Sequence, residues 1–319
     1  MATLPIDPWA NDKFDRKRLA EDLVAYIDSA TMFGPLLGES KSLVIGVDAP
    51  YGFGKTFFLT ALKNAEQGKR AVAYVDAWAD DLIDDPLVSV AATVKEAISP
   101  WLDEPAVKRK WDETAKKAGK VATIATKGIA KQLLKLAISD NSVTAIEAVL
   151  DNIDEEAIEN FRSSVEDGFD SISENISEMN RINQDKYLDS KIENLQEMRR
   201  SVSSLRASLE SLAIELEKKS LKVPIIIIID ELDRCRPKYA IKLLEEIKHI
   251  FSSNKVCFIL GVNSEQLSKS IAAEYGAHFD GSAYLDRFID RFLNLPFPNM
   301  DGFIAEMWGQ IPSITQNKY

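Results

Sequence analysis

Five consecutive isoleucines at residues 225–229 lead directly into two carboxylates, Asp230 and Glu231. A run this apolar has no polar face, which is typical of a strand buried on both sides within a parallel sheet. We predict strands at 43–48, 71–76, 223–230, 256–262 and, more weakly, 292–296. Helical stretches separate these runs, so the sequence predicts an α/β fold with a parallel sheet.

The turn in "GVDAPYGFGKTFFL" is typical of a phosphate-binding loop between a strand and a helix. Gly52 and Gly54 let the backbone wrap a phosphate, Lys55 supplies positive charge from the surface of the loop, and Thr56 supplies a hydroxyl for Mg²⁺. Ala49 stands where such loops usually carry a first glycine, and its methyl group is tolerable if its φ is negative. The predicted nucleotide contacts are Gly52, Phe53, Gly54, Lys55, Thr56 and Phe57.

The carboxylates after the isoleucine run supply the second half of this chemistry. Asp230 is suited to the shell of Mg²⁺, and Glu231 is suited to act as general base toward the attacking water. A buried strand with an acidic end is the alternative, but the loop and this strand occur in the order expected of a nucleotide site. Asn263 follows another apolar run and is predicted to orient the attacking water or to sense the γ-phosphate. An equally open alternative is that Asn263 or Ser264 is the N-cap of a helix.

Arginines near the end of the chain are candidates for a catalytic finger. In "AYLDRFIDRFLNLP", Arg287 and Arg291 lie four residues apart and are predicted to share one helical face. Supplied by a neighbouring subunit, such an arginine accelerates hydrolysis; a surface ion pair with a nearby aspartate is the alternative. Arg234 and Arg236, just past the acidic pair, are further candidates.

Charge in the middle of the chain falls into two opposite blocks. Residues 105–138 carry nine Lys or Arg against two acids, and residues 151–180 carry ten acids against one arginine. Blocks this close favour pairing with each other over contact with a membrane surface. The net charge of −11 counts against broad affinity for nucleic acid, although the basic block leaves a local contact open.

A long helical segment, residues 101–220, is predicted between two halves of the α/β core at 1–100 and 221–319. Its apolar residues at a/d spacing are Met198, Val202, Leu205, Leu209, Leu212 and Leu216. This spacing favours an intramolecular hairpin with the preceding helix-like stretch, and a dimerising coiled coil is the alternative.

The remaining features indicate a cytoplasmic chain. The N-terminus has no apolar core of the signal-peptide type, and no run reaches the ~18 uncharged apolar residues of a spanning helix. Two cysteines are too few for a disulfide framework. His249 and His278 have no metal-ligand spacing and are interpreted as structural.

Four segments together resemble the KAP family of P-loop NTPases, namely "APYGFGKTFFL", "VDAWADDLIDDPLVSV", "IIIIIDELDRC" and "YLDRFIDRFLNLP". The resemblance implies an additional-strand-catalytic-glutamate core with strand order 5-1-4-3-2, ATP as ligand and a tendency to self-associate. Family members often carry transmembrane helices in the insertion, so this chain is expected to be a soluble member. Bacterial members are often implicated in defence against phage, which the resemblance implies as a role.

Three functions follow as hypotheses. The leading one is an ATPase whose nucleotide state drives homo-oligomer assembly or gates a protein effector. The second is a poorly hydrolysing signalling scaffold that docks partners through the helical insertion, and the third is a DNA-handling motor. The chain stops about thirty residues after Arg287, so it is expected to be a fragment or to rely on another chain to close the site.

Overall fold

A computed structural model of the chain describes residues 7–33, 42–83, 85–121, 176–249, 251, 253–276 and 278–296, with the backbone alone at 83, over 176–194 and at 249. The chain divides into two compact units. The first comprises Met1–Ala115 with Leu205–Tyr319, and the second comprises Lys116–Ser204. The division predicted from the sequence, into two core halves and a helical insertion, stays a prediction.

A five-stranded parallel sheet forms the centre of the first unit. Its strands are β1 (Leu43–Asp48), β2 (Val72–Asp76), β3 (Ile225–Asp230), β4 (Val256–Val262) and β5 (Arg291–Asn294). Their order is β2-β3-β4-β1-β5, which is the predicted 5-1-4-3-2 read from the opposite edge. The parallel α/β prediction is therefore confirmed; β1 and β4 have the predicted bounds, and the ends of the other strands differ from the predicted ones by at most two residues.

The register of the sheet brings acidic residues together at the carboxyl ends of its strands. Asp76 at the end of β2 is paired with Asp230 at the end of β3. Asp48 at the end of β1 is paired with Val262 at the end of β4. In open parallel sheets, ligands bind outside these carboxyl ends of the strands.

Helices cover the sheet and connect its strands. They are α1 (Arg16–Phe33), α2 (Lys55–Glu66), α3 (Ala77–Asp80), α4 (Pro86–Ile98), α5 (Ile176–Lys218), α6 (Pro237–His249), α7 (Ser264–Tyr275) and α8 (Gly281–Leu285). Residues 105–121 are also helical. Proline begins α4 and α6 because the missing N–H costs nothing in the first turn. The side chain of Asp85 caps α4 by accepting from the N–H of Leu87 at 3.2 Å.

The core beside the nucleotide motifs is built from α1, α2 and one face of the sheet. Ile27 of α1 and Phe58 and Leu59 of α2 have no exposed surface and belong to the same apolar cluster as Ile45. Trp9, ahead of α1, packs edge-on against the Phe58 ring at 6.1 Å between centroids. This packing fixes the position of α2, and with it the turn that precedes α2.

Part of the predicted a/d stripe on α5 is buried in the first unit. Leu205, Leu209, Leu212 and Leu216 are each at most 3% exposed. The hydroxyls of Thr114 and Ser208, also in the first unit, are hydrogen bonded at 3.0 Å. The helix-like stretch that the hairpin prediction pairs with α5 lies almost entirely outside the described residues, as do most of the two charge blocks.

Within the second unit, Lys120 and Glu197 form an ion pair at 3.0 Å. None of the helices in the described part of the chain has both the length and the apolar character needed to cross a membrane.

Candidate nucleotide-binding site

The turn between β1 and α2 has the backbone of a phosphate-binding loop. Gly52 and Gly54 have φ of +80° and +76°, a region that side chains other than glycine rarely adopt. Ala49 is buried, and it is not among the residues with positive φ. The condition under which alanine is tolerable at this position is therefore met.

Lys55 does not lie at the surface of the loop, so that expectation was wrong. Its side chain folds back under the turn, and Nζ donates to the carbonyls of Ala49 at 2.6 Å and Pro50 at 3.4 Å. The residue is only 8% exposed. Because α2 begins at Lys55 and packs on the sheet, its first side chain is directed toward the end of β1 and not toward solvent.

Unpaired N–H groups line the turn where α2 begins. The N–H groups of Gly54, Lys55 and Thr56 have no protein acceptor among the described residues. The first N–H groups of a helix have no partner within it, and together with the helix dipole they favour an anion.

The two phenylalanines predicted at this site can contribute only main-chain atoms. Phe57 packs edge-on against Trp9 at 6.2 Å between ring centroids. Phe53 is half-buried and packs against the apolar core. The side chains of both residues therefore belong to the packing of the loop.

Asp230 is buried at the end of β3, with both oxygens engaged. One oxygen accepts from the N–H of Glu231 at 2.9 Å, and the other accepts from the Tyr74 hydroxyl at 2.8 Å. Burial and the neighbouring carboxylate raise the pKa of Tyr74, so it stays a donor. A Cβ at Gly261 on β4 would collide with the Asp230 carboxylate. Gly261 thus makes room for this side chain, a role that the sequence analysis missed.

Glu231 adopts a left-handed conformation, with φ of +60°, immediately after the strand. Its carboxylate is 2.9 Å from the guanidinium of Arg234. Burial raises the pKa of Glu231, whereas Arg234 opposes that rise. A carboxylate with a raised pKa at the end of a buried strand is suited to accept a proton.

Arg234 lies over two aromatic rings that the sequence analysis did not connect. Its guanidinium carbon is 5.6 Å from the centroid of Tyr51, in the phosphate loop, and 5.8 Å from that of Trp78, in α3. Both rings are about half exposed. Burial, with the nearby Asp233 carboxylate, raises the pKa of Tyr51. One oxygen of Asp233 is buried and has no hydrogen-bond partner among the described residues. A signal was available: Trp78 lies two residues after Asp76, the last residue of β2, at the end of the sheet that carries its polar residues.

Asn263 serves as the N-cap of α7. Its side-chain oxygen accepts from the N–H of Gln266 at 3.2 Å, so the capping role left open by the sequence is confirmed. Ser264 is held by Asp48 at the end of β1 through its N–H at 2.8 Å and its hydroxyl at 2.5 Å. The start of α7 is thereby tied to the strand that leads into the phosphate loop.

Arg287 and Arg291 do not share a helical face, so that prediction was wrong. Helix α8 ends at Leu285, Arg287 lies in the following turn, and Arg291 is the first residue of β5. The chain leaves the helix because Asp290 joins the sheet, where its N–H donates to the carbonyl of Val44 and its carboxylate accepts from the Val44 N–H, both at 2.9 Å. Both arginines are exposed.

Arg236, a further finger candidate, is bound to Asp81. Its main-chain N–H and its Nε donate to the two carboxylate oxygens at 2.9 and 3.0 Å, and Nη2 donates to the main-chain carbonyl of Asp81. The residue therefore joins the turn after β3 to the segment after α3, which is a structural role.

The donors for a metal ion at this site are few and all oxygen. In the described residues, no group of three or more His, Cys, Asp or Glu could hold a metal. The exposed Thr56 at the start of α2 and the buried carboxylate of Asp230 are hard oxygen donors of the kind that Mg²⁺ prefers. A set this small fits a magnesium ion that takes its other ligands from phosphates and water.

Comparison with known proteins agrees with this arrangement. The family model described as "KAP family P-loop domain" matches residues 16–303, which is most of the chain. No curated protein matches it. The match includes α1, the whole sheet and both nucleotide motifs, and the chain belongs to the KAP family of P-loop NTPases.

Proposed function

We propose that this protein is an ATPase that requires Mg²⁺, and that its nucleotide state drives self-assembly or gates a protein effector. Membership of the P-loop NTPase family indicates nucleotide binding and nucleotide hydrolysis in general. The choice of ATP, the metal and the coupling to assembly are the content of the proposal.

The environment of Lys55 carries the proposal. A buried charge is normally paired, since its desolvation is otherwise costly. In the described part of the chain, no carboxylate lies within ion-pairing distance of Lys55; its Nζ has the carbonyls of Ala49 and Pro50 and lies 5.3 Å from the centroid of the Tyr51 ring. A buried ammonium beside unpaired N–H groups is a site suited to the phosphates of a nucleotide.

The other residues have roles that their positions support. The N–H groups of Gly54 to Thr56 bind phosphate oxygens, while Asp230 and Thr56 hold Mg²⁺. When bound, Mg²⁺ neutralises charge that develops on the phosphates. Water attacks the γ-phosphorus, the bond to the β–γ bridging oxygen breaks, and Glu231 takes the proton of the water to give ADP and phosphate.

A poorly hydrolysing signalling scaffold is the second candidate, and two contacts favour it. The carboxylate of Glu231 is paired with Arg234, and the side-chain oxygen of Asn263 is used by the α7 cap. A base held by a cation is a weaker proton acceptor, and the cap engages the oxygen of the Asn263 amide, which would otherwise accept from water. In this alternative the helical insertion provides the docking surface.

Turnover and binding of ATP by the same samples separate these functions. We expect Mg²⁺-dependent hydrolysis by the parent protein, loss of binding in Lys55→Ala, and binding without turnover in Glu231→Gln. Binding without measurable turnover in the parent would favour the scaffold. Stimulation of turnover by added DNA would favour a motor, which the net charge of −11 counts against.

Self-assembly and a part in defence against phage belong to the proposal through the family resemblance, and an effector partner and a cytoplasmic location belong to it as expectations from the sequence. The mass of the protein in solution, with and without ATP and Mg²⁺, tests the first of these. A mass that stays that of a single chain in both conditions would contradict nucleotide-driven assembly.

A further inference from the structure

Arg16, the first residue of α1, reaches the phosphate loop from outside it. Its Nη1 donates to the carbonyl of Gly54 at 2.9 Å, and its Nη2 donates to the carbonyl of Phe53. Arg16 is only 2% exposed, and arginine is almost never fully buried unless it has partners. Its buried partners here include two consecutive carbonyls of the loop.

These two contacts help to set which way the loop N–H groups point, together with the Phe58 N–H, which donates to the Gly54 carbonyl at 3.0 Å. A peptide unit is planar and trans, so its carbonyl and its N–H point in opposite directions. Holding the carbonyls of Phe53 and Gly54 on the side of Arg16 directs the N–H groups of Gly54 and Lys55 to the other side. Those two N–H groups are among the ones without a protein acceptor in the described residues.

The loop needs such a restraint because glycine is its most flexible residue. With Gly52 and Gly54 both at positive φ, the free backbone has many conformations of similar energy. Gly54 also gives Arg16 its access, since a Cβ at that position would lie 2.6 Å from Nη1. The glycine therefore meets two requirements, a left-handed turn and a close approach by the guanidinium.

We propose that Arg16 is a positioning residue that pre-organises the phosphate loop for nucleotide. It acts through the loop main chain and does not touch the ligand. The proposal rests on the proposed function, because it assumes that the loop binds phosphate. It also predicts a specific pattern: the amides that Arg16 orients serve the phosphates shared by ATP and ADP, so both nucleotides depend on it equally.

Arg16→Lys tests this inference, with Arg70→Lys as the matched control. Arg70 has no exposed surface and pairs with Glu66 at 2.9 Å and Asp28 at 2.8 Å, so it is an equally buried arginine with partners outside the loop. Affinity for ATP and for ADP, kcat at saturating ATP and the unfolding midpoint are measured for both variants and the parent.

We expect Arg16→Lys to weaken ATP and ADP binding by a similar factor, roughly tenfold or more, because an ammonium lacks the planar, two-pronged geometry with which the guanidinium holds these two carbonyls. At saturating ATP, kcat should stay within about threefold of the parent, since pre-organisation affects binding. Arg70→Lys should lower the unfolding midpoint and leave both affinities unchanged.

Arg16→Ala should regain ADP affinity in millimolar guanidinium but not in methylammonium at equal ionic strength.

Unchanged affinities in Arg16→Lys, with an unfolding midpoint that falls as in Arg70→Lys, would reduce Arg16 to a structural contact and overturn the inference. A loss confined to ATP would also overturn it, since that pattern indicates a sensor of the γ-phosphate. Failure of the parent protein to bind either nucleotide would overturn the proposed function as well. Should Arg16→Lys not fold, Arg16→Gln gives the same comparison.

Discussion

The carboxylate of Glu231 lies 2.9 Å from the guanidinium of Arg234, three residues further along the turn after β3. Arg236, only two residues later, is bound instead to Asp81. Two arginines that are nearly adjacent in sequence thus have separate partners, one in the candidate site and one in the scaffold around it.

Arg234→Ala should lower kcat by about tenfold or more, because the Glu231 carboxylate loses the group that holds it. ATP affinity should change little, and so should the unfolding midpoint, since the Arg234 side chain is 43% exposed. Arg236→Ala is the control: it removes two side-chain hydrogen bonds to Asp81, so it should lower the midpoint slightly while kcat stays near the parent value. Faster turnover in Arg234→Ala would show that the ion pair restrains the base, which favours the scaffold.

Lys55→Ala and Lys55→Met should both lose ATP affinity by about 10–100-fold or more, since charge-assisted contacts to phosphate disappear. The two variants differ in the cavity they leave. Because Lys55 is 8% exposed, Met should preserve the unfolding midpoint better than Ala. Isothermal titration and thermal unfolding measure the two effects, and parent-like affinity in Lys55→Met would contradict the assignment of the loop.

Glu231→Gln should bind ATP and hydrolyse it more slowly by a factor of about 10²–10⁴, because an amide cannot take the proton of the attacking water. Asp233→Asn is the companion variant, since Asp233 is the other carboxylate near Tyr51. If Glu231→Gln hydrolyses at the parent rate and Asp233→Asn does not, the base is Asp233.

Arg287→Ala should bind ATP normally and hydrolyse it slowly, by a factor that reaches ~10³ for an arginine supplied across a subunit interface. Mixing this variant with Glu231→Gln should then restore some activity, because a mixed interface pairs an intact glutamate with an intact arginine. Arg291, at the exposed edge strand β5, is the second candidate. Absence of rescue in chains that stay monomeric would rule out a shared site.

Glu246→Gln should remove a pH dependence of stability. Burial raises the pKa of Glu246 from 4.5 to about 7, although Lys242 opposes the rise and Asp85 and Glu245 add to it. Between these pH values the folded state binds more protons than the unfolded state, so stability falls as pH rises from about 4.5 to 7.

Urea unfolding at pH 5 and pH 8 measures this loss. We expect the parent protein to lose about 2 kcal/mol more than Glu246→Gln between the two values. Glu245→Gln, at an exposed neighbouring position, should keep most of the loss, because burial is the largest cause of the raised Glu246 pKa and Glu245 the smallest. An equal loss in Glu246→Gln would place the titrating group elsewhere.

Local patterns in the sequence were enough to predict the sheet, because each strand is a short apolar run and β3 and β4 are buried along their whole length. The phosphate loop was also predictable, since Gly52 and Gly54 are required by the backbone itself. The strand order came only from the family resemblance, because pairing between distant segments leaves no local signal.

What the sequence could not predict depends on contacts between segments far apart in the chain. Arg16 is 38 residues from Gly54, whose carbonyl it binds, and no periodicity links the two. The burial of Lys55 depends on how α2 packs against the sheet. The predicted helix around Arg287 failed because Asp290 pairs with Val44, across most of the chain.

The strand order also determines when the sheet can form while the chain is being synthesised on the ribosome. The first hundred residues contain β1 and β2, but the two are not neighbours: β1 pairs with β4 and β5, and β2 pairs with β3. Val72 of β2 can pair with Ile226 of β3 only after about 150 more residues have been synthesised. At ordinary translation speeds this synthesis takes roughly 10–30 s. During that interval the nascent chain carries the phosphate loop without the paired sheet beside it, so the apolar residues of β1 and β2 stay without their strand partners.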